Sequence, residues 1–161
     1  MFLWFVTGAI AGVFLVFREP AIDYRLIGAG ALLSDPLDSL AFGGIGAAHS
    51  VVVAVGLLLA VMLATIGRRS LRRRLLAVPI GVFAHLVLDG AWVTTSSFWW
   101  PLAGGLPARS VPSLQRPWWL TIAMEVVGLM VGIWLWKRFR FDRRQNRSRF
   151  QKSGRLDPDL R

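Results

Sequence analysis

Asp35, Asp38, His49, His85, Asp89 and Glu125 are ionisable residues set in otherwise apolar stretches of this chain, and they include both of its histidines. An ionised side chain at a membrane-helix centre costs roughly 2.5–3.5 kcal/mol on insertion scales, so such residues call for a reason. His85 and Asp89 are spaced i, i+4 and share a helix face, and Asp35 and Asp38, at i, i+3, share one if a helix restarts there. Imidazole nitrogens together with carboxylate oxygens suit a divalent ion such as zinc or manganese. A cation among these carboxylates and imidazoles would offset their mutual repulsion and lower the pKa of a bound water. A spare carboxylate, Asp38 or Glu125, would then serve as general base, which is the chemistry of metal-assisted hydrolysis.

Each residue also has a plainer reading. Asp35-Pro36-Leu37-Asp38 is a good helix start, with Asp at the N-cap, Pro at the first helical position and Asp at the third. His85 with Asp89, and Glu125 alone, could be hydrogen bonds tying helices together. His49-Ser50 could be an interfacial polar pair. A chain of Asp, His and Glu at one depth also suits a proton path.

The elements that would carry these residues are apolar. Of 161 residues, 55% are hydrophobic and 17% charged, against about 25% charged in a soluble domain. The net charge of +10 is clustered. Arg68, Arg69, Arg72, Arg73 and Arg74 form one knot, and a second set runs from Lys137 to Arg161. Apolar runs separated by arginine knots exclude an ordinary soluble globule, a coiled coil and a disordered chain. With no cysteine, disulfides, thiol catalysis and cysteine-ligated metals are excluded as well.

The expected architecture is all-α, a polytopic membrane helical bundle of four to five membrane segments, one of them a half-helix. Residues 1–17 form a short retained helix, because no basic stretch or cleavage site marks a signal peptide. Residues 24–34 are the half-length segment. Spans follow at about 45–67, 75–93 and 118–136, with a Pro- and Gly-rich extramembrane loop over 102–117. Residues 1–136 make the membrane domain and 137–161 a basic, disordered tail. Arginine placement puts loop 68–74 and the tail in the cytoplasm, where they meet anionic lipid. The tail lacks the fold or aromatic interleaving of a nucleic-acid binder.

Counted from the cytoplasmic boundary at about 1.5 Å per residue, His85, Asp89 and Glu125 lie roughly 15–21 Å deep. Asp35 and Asp38 fall in the same layer if Tyr24 begins at the inner face, and His49 lies a turn or two further out. Groups that merely capped helix ends would not collect in one layer.

Taken in order, Ser34-Asp35-Pro36-Leu37-Asp38, His49-Ser50, His85-Leu86-Val87-Leu88-Asp89 and Phe98-Trp99-Trp100-Pro101-Leu102 resemble the pattern of a bacterial inner-membrane, membrane-bound metal-dependent hydrolase family. The resemblance covers residues 24–102 and implies Asp35, Asp38, His49, His85 and Asp89 as the metal positions. Three family positions depart: Ser39 and Gly44 stand where histidines occur, and Ile45 where an arginine occurs. The histidines and aspartates left suffice for one metal rather than a cluster. The function expected is hydrolysis of an ester or phosphoester on a lipid or lipid-linked substrate in the outer half of a bacterial inner membrane. Usage of 17 arginines against two lysines fits a GC-rich bacterial genome.

Overall fold

In the computed structural model, residues 1–19, 22–41, 46–104 and 116–156 are described, and all regular structure among them is helical. The elements are α1 (Phe2–Phe17), α2 (Tyr24–Ala31), α3 (Ser34–Ala41), a 3-10 turn (Ala47–His49), α4 (Val51–Ala64), α5 (Arg69–Leu75) and α6 (Ala77–Asp89). A second 3-10 turn (Ala91–Val93) leads to α7 (Thr95–Phe98), followed by α8 (Trp118–Arg138) and α9 (Arg144–Ser153).

Local chemistry sets most boundaries. Asp23 caps α2 by accepting from the Arg25 N–H at 3.3 Å, and Ser50 caps α4 by accepting from Val52 N–H at 3.1 Å. Pro79 has no N–H to offer the Leu75 carbonyl one turn back, and the arginine-rich α5 ends at Leu75. Gly90, at φ 68°, takes the left-handed conformation that stops α6.

Two close helix contacts organise the molecule, and both run through glycine. Where α2 crosses α6, a Cβ on Gly30 would lie 2.2 Å from the Val78 carbonyl oxygen, and one on Gly81 would lie 2.2 Å from that of Ile27. Where α1 meets α8, a Cβ on Gly128 would lie 2.5 Å from Trp4 N, and the Thr7 hydroxyl sits 2.7 Å from the Gly128 carbonyl. Backbones approach this closely only because these positions have no side chain.

α8 is the helix among the described residues long and apolar enough to cross a membrane. Its 21 residues extend about 31 Å, matching a hydrocarbon core of about 30 Å. Ile122, Val126, Leu129, Met130 and Ile133 are exposed along it, with Trp118 and Trp119 at one end and Trp134 and Trp136 at the other. α1 and α4 are apolar but shorter, at 16 and 14 residues. The apolar run expected over 45–67 is trimmed because Ala47–His49 winds as a 3-10 turn and Ser50 restarts the helix. The run over 75–93 is cut at Gly90.

The basic tail differs from the disorder expected of it. Arg144–Ser153 is helical, and Gly154 accepts a hydrogen bond from Tyr24 N–H at 2.9 Å. Arg25 donates to the Gln151 carbonyl at 2.5 Å, while Leu156 is buried with Phe139 against α1 and α2. Charge counting misses this because the few apolar tail residues, Phe141, Phe150 and Leu156, do the packing.

Candidate metal centre

His85 projects from the third turn of α6, one turn beyond Gly81. The glycine contact draws α6 against the end of α2, where the helix break before α3 leaves late carbonyls unpaired. His85 Nδ1 lies 2.6 Å from one of them, Ala31 O. A carbonyl only accepts, so Nδ1 carries the hydrogen and Nε2 presents its lone pair inward. The Phe5 ring of α1 packs on the imidazole at a centroid distance of 4.1 Å and closes its outer side.

His49 ends the 3-10 turn, which Asp38 builds. Asp38, itself buried, accepts from Gly46 N–H at 2.9 Å through Oδ2 and from Ala48 N–H at 3.3 Å through Oδ1. The Ser50 hydroxyl reaches the Trp100 carbonyl and pins the turn to the segment after α7. His49 Nδ1 is buried and meets no hydrogen-bond partner among the described residues.

Asp35 enters from the first turn of α3. The helix begins at Ser34, two residues before the Pro36 start that a cap at Asp35 requires, so the carboxylate turns toward the histidines instead of capping. Its Oδ1 lies 3.3 Å from His49 Nε2 and 3.7 Å from His85 Nε2, and the two Nε2 atoms are 3.3 Å apart. The centre of this triangle is about 2.0 Å from each corner, so an ion standing slightly off its plane would have all three atoms at about 2.1 Å, within the range of zinc bonds to nitrogen and carboxylate oxygen. Tetrahedral zinc with bonds of about 2.05 Å has edges of about 3.3 Å, so the triangle matches one face of its coordination shell. Asp35, His49 and His85 could therefore hold a metal ion. The histidines are buried, whereas the Asp35 side chain is 45% exposed, so the group opens on the α3 side.

The other three residues singled out in the sequence are engaged elsewhere. Asp38 spends both oxygens on backbone amides and positions His49 rather than joining the triangle. Asp89 is buried at the end of α6, with Oδ1 3.4 Å from Arg116 Nη1 in an ion pair that lacks hydrogen-bond geometry. Arg116 Nη2 also donates to the Asp89 carbonyl at 2.5 Å. Glu125 binds the first turn of α1, accepting from Leu3 N–H at 3.0 Å and lying 3.6 Å from the Met1 amino group. A carboxylate at that helix start satisfies an open donor and opposes the helix dipole.

No protein-family model, curated protein or solved structure matches the chain. The resemblance of residues 24–102 therefore rests on the motif residues themselves. Three contributors escape a reading confined to ionisable side chains in apolar stretches: the Ala31 carbonyl, the Phe5 ring and Arg116, which falls in the loop 102–117. Only Gly81, four residues before His85 and so on its face, leaves a signal in the sequence.

Proposed function

We propose that this chain is a multi-pass membrane protein that holds one divalent cation on Asp35, His49 and His85 and hydrolyses an ester or phosphoester on a lipid-linked substrate. The observation that carries it is the triangle of three ligand atoms whose edges suit tetrahedral zinc, with His85 already locked in the ligating tautomer. Three protein ligands with one position left open is the arrangement of catalytic rather than structural zinc. A cation bound there supplies Lewis-acid polarisation of a carbonyl or phosphoryl oxygen and activates water. The chain itself buries both imidazoles, and Phe5 packs on His85 and excludes water on that side. Asp35, the half-exposed member of the group, faces the open side. Asp38 holds the His49 turn and Glu125 ties α8 to α1, so neither is the base in this arrangement.

The membrane placement is supported by the exposed apolar length of α8 between its tryptophan pairs and by the gathering of basic groups at one end. Arg74 reaches Asp23 at 3.2 Å, and the tail helix meets Tyr24, so loop 68–74, the start of α2 and the tail share that end. By the positive-inside rule it is cytoplasmic. Following the chain from there, α2 and α3 lead outward, α4 returns, α5–α6 leads outward and α8 returns. α1 then runs inward, with its first turn on the outer side, in a bacterial inner membrane.

Metal analysis of the full chain purified in detergent and incubated separately with zinc and with manganese tests the site. One equivalent is expected in the parent chain, with less than about a tenth retained by H49A or H85A. A parent chain that emerges metal-free from both incubations overturns it. A second reading, in which the polar groups only tie helices, is favoured by Glu125 and by the Asp89–Arg116 pair. It requires a folded yield indifferent to metal and to chelator.

A further inference from the structure

At the basic end, α9 leaves a cavity of about 510 Å³ between itself, the end of α8 and Ile10 of α1. Ile10, Leu135, Trp136, Phe141 and Phe150 make its walls apolar, and exposed Arg147 and Gln151 stand at the edge. Arg147 and Gln151 also line a second cavity of about 320 Å³, which Arg144 and Ser148 complete. Arg147 and Gln151 thus border both the apolar cavity and a basic, hydroxyl-bearing groove along α9. Neither Arg144 nor Arg147 forms an ion pair with an acidic residue among the described residues. Leu135 and Trp136 come from the last turn of α8, so on the membrane reading the double cavity lies beside the headgroup level.

We infer that this double cavity binds one anionic phospholipid, with an acyl chain among Ile10, Leu135 and Phe150 and the headgroup phosphate on Arg144 and Arg147. Charge complementarity selects the occupant: the chain carries +10 and concentrates it at this end, where a zwitterionic headgroup gains far less than an anionic one. An apolar chamber beside two guanidinium groups without an acidic partner among the described residues fits an amphiphile better than a nucleic-acid backbone, which leaves the chamber unused. α9, held by Arg25 and Tyr24, is the clamp that fixes both chambers.

This inference rests on the membrane reading of α8, which is checked separately by whether the chain is recovered with membranes. The binding test is native mass spectrometry of the full chain in neutral maltoside detergent, with phosphatidylglycerol or phosphatidylcholine of identical acyl chains added. One retained phosphatidylglycerol per chain is expected, favoured at least about tenfold over phosphatidylcholine. The exposed-site variant R144Q/R147Q should lower that retention by about fivefold per arginine. I10F, which narrows the chamber, should lower it with the arginines intact. Equal retention of the two lipids, or an R144Q/R147Q variant that keeps the parent preference, overturns the inference. So does a DNA duplex that displaces phosphatidylglycerol. Metal stoichiometry in R144Q/R147Q should equal the parent's, so lipid and metal results fail independently.

Discussion

Two imidazole nitrogens and one carboxylate oxygen within 3.3–3.7 Å of each other repel as lone pairs unless a proton or a cation lies between them. That pressure gives His49 and His85 their chemical meaning, and it separates them from the other ionisable residues. Asp38 acts through His49. D38A strips the acceptor from two amides of the His49 turn and should weaken zinc about 10–100-fold, as removal of a ligand-orienting group does, while leaving zinc detectable at saturation. Competition with a chelator of known affinity measures this. Asp89 behaves differently, because its partner is Arg116. D89N should keep one zinc per chain, and D89L should lower folded yield by leaving the guanidinium without its carboxylate. Loss of zinc in a folded D89N chain would return Asp89 to the ligands.

At the scale of elements, the α2–α6 crossing decides where His85 points. In G81A the added methyl would press on the Ile27 carbonyl at 2.2 Å, backbone that cannot swing aside. The helices must separate, at an overpacking cost of about 1–3 kcal/mol, and the His85–Ala31 bond stretches with them. Reduced thermal stability together with weaker zinc binding is the expected result. G12A is the control, since a Cβ there meets nothing within 4 Å. The clamp at Asp23 is separable by pH. Burial pushes this carboxyl up, but the hydrogen bond and charge of Arg25, aided by Arg74, outweigh it and hold the pKa below the usual 3.8. A depressed acid stabilises the fold above its unfolded pKa, and that stability is lost as pH falls through the folded value. Melting followed by circular dichroism should therefore be insensitive to Asp23 protonation between about pH 5 and 7 and drop below about pH 4. D23N should be less stable at neutral pH and show a shallower acid drop.

For the whole molecule, the exposed apolar flanks of α1, α4 and α8 demand a covering solvent. A chain without cysteine makes the orientation easy to read, because any introduced thiol is the sole target. In intact cells S96C, on α7, should react with a membrane-impermeant maleimide, and K152C on α9 should react only after permeabilisation. The opposite labelling would reverse the orientation, and labelling of both in intact cells would remove the multi-pass topology.

Composition and residue type determine much of this protein without coordinates. Helical class, the α8 span and the two basic clusters follow from runs of like residues, since backbone hydrogen bonding and transfer of apolar surface depend on sequence neighbours. The short list of ionisable residues within apolar runs already contained Asp35, His49 and His85, because burying such groups is costly wherever the chain goes. Which three of the six converge was a different kind of question. Asp38 and Asp89 share the motif, but their side chains are claimed by amides of the His49 turn and by Arg116, groups distant in sequence or hidden in the backbone. The tail helix likewise docks through three scattered apolar residues and a glycine carbonyl, too sparse to form a periodic pattern. Long-range partners are chosen by how glycine contacts let helices cross, and only the tertiary structure decided that.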